Sequence, residues 1–155
     1  MNKSVIAGLL SAALLSLSLS AQAVSPEEQI ELRKAGYSYM SWNMGKIKAQ
    51  VIDQSVAYNQ TQVAAAANTI AALANSGMGA LYGPGTARQD GAQPTRVKPE
   101  MFDNFDDVAK ISARLSETTG NLAAAAASDD QAAIRVAFGE VGQTCKSCHD
   151  KYRQK

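Results

Sequence analysis

The sequence predicts an all-α fold, an antiparallel four-helix bundle in a single domain. Three observations lead there. Apolar residues recur at three- and four-residue intervals in four separate stretches. Helix-opening chemistry, serine or aspartate followed by proline or acids, stands ahead of the first and last stretches. One long glycine- and proline-rich connection, Asn75 to Pro99, divides the four stretches into two pairs.

The first 23 residues are set apart from the bundle. Lys3 makes a short basic start, Val5 to Leu19 is apolar with interspersed serines, and Ala21-Gln22-Ala23 is a small-residue cleavage signal. A membrane anchor is the competing reading. The apolar stretch is short for a span of roughly 20 residues, and no basic stop-transfer cluster follows it. Cleavage after Ala23 is therefore expected, leaving an exported, soluble, periplasmic domain of residues 24–155 with no membrane segment. The whole chain has 15 basic and 14 acidic residues. Loss of Lys3 leaves the remainder near neutrality, which gives no reason to expect nucleic acid or an anionic membrane as a partner.

The first helix opens at Ser25-Pro26-Glu27-Glu28, with Ser25 as N-cap, proline in the first turn and acids at the positive helix end. Its stripe runs Ile30, Arg33, Tyr37, Met40, Met44, Ile47. The second helix is expected around Val56–Ala74, with Val63, Ala66, Ile70 and Leu73 on one side and alanines permitting close approach. In the connection, Gly83-Pro84-Gly85 breaks helix, and a loop this long in a compact domain is usually functional. The third helix is expected from Pro99-Glu100, carrying Phe105, Val108, Ser112, Leu115 and Leu122 and continuing through Ala123–Ala127. Ser128-Asp129-Asp130 then caps a fourth helix with the stripe Ile134, Phe138, Val141, Cys145, Cys148, Tyr152, which turns both cysteines toward the core.

The chemistry is concentrated in Cys145-Lys146-Ser147-Cys148-His149, which holds both cysteines and the only histidine of the chain. Cys-x-x-Cys-His is the covalent haem-attachment pattern. Thiols three positions apart project from nearly one helix face, so each can form a thioether to one vinyl group. His149 then aims its imidazole at the iron as axial ligand. Two alternatives stand beside this. A thioredoxin-like dithiol usually opens a helix after a strand, and no strand pattern lies nearby. Half of a zinc site would lack its fourth ligand, since the motif supplies three.

Taken together, the C-terminal run Phe138 to Arg153, the opening Pro26-Glu27-Glu28 leading to Arg33, and the loop Tyr82-Gly83-Pro84-Gly85-Thr86 resemble the cytochromes c′, the class II c-type cytochromes. The resemblance spans nearly all of the chain after the leader. It implies a four-helix bundle, usually a homodimer, with one covalent haem c and a high-spin, five-coordinate iron. Cys145 and Cys148 match the thioether cysteines and His149 the proximal ligand. Arg153 matches a basic residue beside the proximal histidine, the alternative being a solvated cation on the helix dipole. Arg33 matches a residue that pairs with a haem propionate. Independently, Arg33 interrupts an apolar stripe, and a buried guanidinium needs an anion unless it snorkels.

Four residues after the arginine, low-spin relatives place an iron-binding methionine; this chain has Tyr37. A neutral phenol is a weak iron ligand because its pKa is near 10, so Tyr37 reads as a steric cover of the distal face, or else as a core tyrosine. Tyr82 is a second candidate for the same pocket. Met40 and Met44 keep a methionine-ligated reading open, although thioethers also fill bundle cores. Trp42 falls off the stripe, which suits exposure or a subunit contact.

Two functions follow as expectations. One is capture of small neutral gases, NO and CO, at an open iron, protecting the cell from nitrosative stress. The other is electron exchange with exported redox proteins, in its alternative form through a low-spin iron with methionine as sixth ligand. Enzymatic, peroxidase-type chemistry is not expected, because no distal histidine or acid–base pair is visible.

Overall fold

The computed structural model describes residues 24–87 and 94–155; the expected leader lies outside them. Four helices form the bundle: α1, Pro26–Ile47; α2, Gln60–Ala74; α3, Phe105–Ala127; and α4, Gln131–Tyr152. Neighbours in sequence pack as neighbours in space, α1 on α2, α2 on α3 and α3 on α4.

The helix ends are set by the expected chemistry. Ser25 accepts from the Glu28 amide at 3.2 Å while its own amide donates to the Glu28 carboxylate at 3.0 Å, a reciprocal capping box. Asp130 accepts from the Ala132 and Ala133 amides at 2.9 and 3.1 Å and starts α4. Two expected starts move. The second helix begins at Gln60, not Val56, because Asn59 accepts from the Gln62 amide at 3.0 Å and residues 53–59 form a loop. The third begins at Phe105, and Pro99–Met101 is a separate 3₁₀ turn. Another 3₁₀ turn, Met78–Leu81, lies within the long connection.

At its C-terminal end α1 widens into a π-helical turn, Lys48–Ile52. The buried Gln50 there is satisfied on both sides: its amide nitrogen donates to Gln62 at 3.3 Å, and its oxygen accepts from the Asn59 amide at 2.8 Å. α4 packs against this turn. The hydrophobic core gathers at the same end, joining Ile47 and Val51 to Val63, Ile70, Leu122, Ile134 and Val141, all with no exposed surface. The buried alanines Ala66, Ala67 and Ala126 let the helices approach closely there.

Away from that end, the gap between α1 and α4 opens into a cleft whose wall includes α3. Tyr37 of the first stripe and Phe105 of the third both line this cleft. Arg33, Met40 and Ile47 are buried as the α1 stripe requires, and Trp42 is exposed.

Leu122 lies at the centre of the closed end. Leu122→Ala should cost about 2–5 kcal/mol of unfolding free energy, measured by urea denaturation; a loss well under 1 kcal/mol would show that this end does not carry the fold.

Candidate haem site

The cleft measures about 1880 Å³, well above the roughly 300–1,000 Å³ of ordinary small-molecule pockets. Cys145, Cys148, His149, Tyr152 and Arg153 reach it from α4 and its C-cap. Phe105, Val108 and Leu115 supply an apolar wall from α3, and Tyr37 faces the cleft from α1.

Both thiols are free and half-buried. Burial raises the pKa of each, and the neighbouring thiol adds to the rise at Cys148. They are therefore neutral thiols in apolar surroundings, placed three positions apart inside an uninterrupted helix. His149 is exposed at the mouth, and partial burial of the ring, followed by the charge of Arg96, holds its pKa below the ordinary 6.5. At neutral pH the imidazole thus keeps a lone pair for a metal. Among the described residues no group of three or more His, Cys, Asp and Glu side chains could hold a metal ion by themselves. The dithiol alternative places its motif where a helix opens, whereas these cysteines lie in the last third of α4. Two free thiols, an imidazole and large apolar side chains left uncovered around one cleft fit a planar macrocycle.

The end of α4 is tied down from two directions. Residues 96–98 run antiparallel to 152–154, with the Lys98 amide donating to Tyr152 O and the Gln154 amide to Arg96 O, each at 2.9 Å. The Tyr152 hydroxyl donates to Asp107 at 2.7 Å, and Lys151 reaches the same carboxylate at 2.9 Å. Arg153, named from sequence for the proximal side, sits at the C-cap, exposed and lining the cleft. Sequence reasoning passed over Arg96 and Asp107, since neither belongs to a motif or an apolar stripe.

On the α1 side Arg33 is 2% exposed. Its terminal nitrogens donate to Leu81 O at 3.0 Å, Thr86 Oγ1 at 3.0 Å, Thr86 O at 2.6 Å and Thr95 Oγ1 at 3.1 Å. The guanidinium also lies 4.5 Å from the centre of the Tyr82 ring. The structure therefore brings Arg33, Tyr37 and Tyr82 together at the rim facing the cysteines. Burial raises the pKa of both phenols, so both are neutral at physiological pH. Met40 faces the cleft but is 4% exposed and packed into the core cluster, with Met44 against it.

Comparison with known proteins agrees with this geometry. Residues 28–153 match the family described as Cytochrome C′. The chain belongs to the cytochrome c′ family. A cytochrome c′ of Allochromatium vinosum is 55% identical over 152 residues, 98% of this chain and 96% of that protein. A solved cytochrome c′ described by an unusual ligand-controlled dimer dissociation is 57% identical over 86% of this chain and 99% of its own, with a TM-score of 0.81. A more distant cytochrome c′ from Alcaligenes xylosoxidans has been solved as a variant with carbon monoxide bound, 27% identical with a TM-score of 0.73 over 84% of this chain and 98% of its own. Another variant of it was solved in the ferrous form with bound NO, at 26% identity and a TM-score of 0.74 over 86% and 99%. The four-helix bundle is thus that of cytochrome c′, and as a member of the family the protein binds haem c covalently.

The clasp on Asp107 has a signed pH dependence. The Tyr152 hydroxyl first, and Lys151 second, hold its carboxyl below the ordinary 3.8. Stability from a depressed carboxyl is fully present above the unfolded value and is lost as pH falls through the folded one. The Tm gap between wild type and Asp107→Asn should be open at pH 7 and close below about pH 4; a gap of constant size would mean the carboxylate charge is not what the clasp uses.

Proposed function

We propose that this cytochrome c′ is an exported haem protein with a five-coordinate, high-spin iron that captures small neutral diatomic gases, chiefly NO and also CO. The observation that carries the reading is the side chain presented by α1 to the cleft: Tyr37, a neutral phenol that lines the same cleft as both thiols. A phenol with a raised pKa covers a metal without binding it well. Met40, the nearest thioether on that row, is committed to the core, which argues against a methionine-ligated carrier.

Each side chain has a role in this reading. Cys145 and Cys148 form the thioethers and His149 is the axial ligand. Arg153 adds positive charge beside His149. Among the described residues Arg33 donates to neutral oxygens of Leu81, Thr86 and Thr95, and its charge suits pairing with a propionate. Tyr37 and Tyr82 form the distal wall, and their rings with the α3 residues exclude water and anions in favour of neutral gases. When bound, the haem supplies a ferrous iron able to hold CO or NO, as reported for the Alcaligenes relative. In this reading the protein works by binding rather than as an enzyme. It lowers the free concentration of NO and so protects the cell from nitrosative stress.

The chain is exported to the periplasm after cleavage at Ala23. No helix among the described residues is long and apolar enough to cross a membrane. A homodimer forms through an exposed surface of α1, where Leu32, Tyr39 and Trp42 are each more than half exposed, the two aromatic rings stack at 5.3 Å, and Lys46 lies 4.2 Å from the Trp42 ring centre. The solved relative with ligand-controlled dimer dissociation supports that assembly.

Intact mass of protein matured with its leader should include one porphyrin. Cys145→Ser combined with Cys148→Ser should release it to acid–organic extraction, and retention would refute the thioether assignment. The ferrous protein should show a high-spin absorption spectrum that changes on adding CO. Tyr37→Ala should speed CO association; unchanged kinetics would remove Tyr37 from the site.

A further inference from the structure

His149 stands where a helix is weakest. It lies in the last turn of α4, C-terminal to both cysteines, and only Asp150–Tyr152 of the helix remain beyond it. The last four carbonyls of a helix have no partner within it, and such ends open readily. Thioethers at Cys145 and Cys148 restrain the chain up to position 148. The turn after the imidazole has to be held by other means.

Two elements distant in sequence hold it. The His149 carbonyl accepts from the Arg153 amide at 3.1 Å. Lys98 supplies the next donors from outside the helix: its amide donates to Tyr152 O at 2.9 Å and its ammonium to Lys151 O at 3.0 Å. A cation there also suits the negative end of the helix. The segment carrying Lys98 is itself anchored. The Gln154 amide donates to Arg96 O at 2.9 Å, and Thr95 Oγ1 accepts from the Val97 amide at 3.3 Å and from Arg33 of α1 at 3.1 Å. From the other side Asp107, in the first turn of α3, accepts from the Tyr152 hydroxyl at 2.7 Å and from Lys151 at 2.9 Å. The Lys151 pair is exposed and contributes little. Tyr152 is 8% exposed and stands three positions after His149, so its bond is the tie that fixes the turn.

We propose that Lys98 and Asp107 are positioning residues for the axial ligand, Lys98 by capping the end of α4 and Asp107 by holding Tyr152, so that together they set how the His149 imidazole meets the iron. The inference rests on the reading of His149 as axial ligand and is independent of which gas or electron partner the protein serves. Neither residue touches the metal. They act through the last turn of α4, as outer partners of a metal ligand commonly do.

The test uses the haem-loaded, reduced protein, with resonance Raman spectra to read the iron–imidazole stretch and amide hydrogen exchange to read the helix end. Wild type should show the stretch, and His149→Gly should abolish it. Lys98→Met keeps the backbone amide and deletes only the ammonium; Tyr152→Phe deletes only the hydroxyl that Asp107 holds. Each should move the stretch to lower frequency and speed exchange of the Arg153 amide about 2- to 10-fold, the range for one lost hydrogen bond. Lys98→Arg keeps a cationic donor and should restore both readings. Leu122→Ala, at the closed end, should lower Tm and leave the stretch in place. A stretch unmoved in both Lys98→Met and Tyr152→Phe overturns the positioning role, whatever their Tm. A stretch that Leu122→Ala moves equally far does so too, since it then follows stability alone. If wild type shows no stretch, or His149→Gly retains it, the axial assignment fails first and the positioning role with it.

Discussion

A bundle of four helices can enclose a large flat cofactor only if one helix interface is left unmade, and here that interface is the one between α1 and α4. The two helices are brought together at the π-helical turn of α1, where Val51 is fully buried and Gln50 is bonded to both Gln62 and Asn59. The core residues collect at that end. Cys145, Cys148, His149, Arg33 and Tyr37 all lie where the seam opens. Cohesion and cavity are therefore divided along the long axis, so the cleft walls need not supply the packing that holds the fold.

The two sides of the cleft are controlled by different means. The α4 side is held by its own backbone: an uninterrupted helix spaces the thiols and imidazole, and a short antiparallel pairing with residues 96–98 secures its end. Such a wall is rigid and suits covalent attachment, which tolerates little change in spacing. The α1 side depends on side chains gripping a loop, with Arg33 alone donating four hydrogen bonds into residues 81–95. A wall of this kind can open locally without disturbing the core. The geometry places adjustability on the α1 face and rigidity on the face that carries the two thiols and the imidazole.

Arg33 is the buried charge on the α1 side of the cleft. Burial pulls its pKa down, yet the guanidinium remains charged because no environment in a protein removes its proton readily. Among the described residues its hydrogen-bonding capacity is spent on the neutral oxygens of Leu81, Thr86 and Thr95, which orders the loop.

The sequence by itself determined the helical class, the capping at Ser25 and Asp130, and the chemistry of the C-terminal motif, because periodicity, capping and ligand spacing are local properties of a chain. It also singled out Arg33, since a cation in an apolar stripe is conspicuous at any tertiary arrangement. It misjudged where the second and third helices begin: Asn59 and the separate turn at Pro99–Met101 reset those boundaries. It also set Phe105 on the stripe of the third helix without showing that this side chain borders the cleft. Only the tertiary structure decided that Arg33 clamps the loop at Thr86 and Thr95, that the Tyr82 ring lies against Arg33, and that Asp107 holds Tyr152, because each pairs residues more than forty positions apart. Pairings at that range leave no periodic trace in a single chain, since they exist only once the helices have been brought side by side.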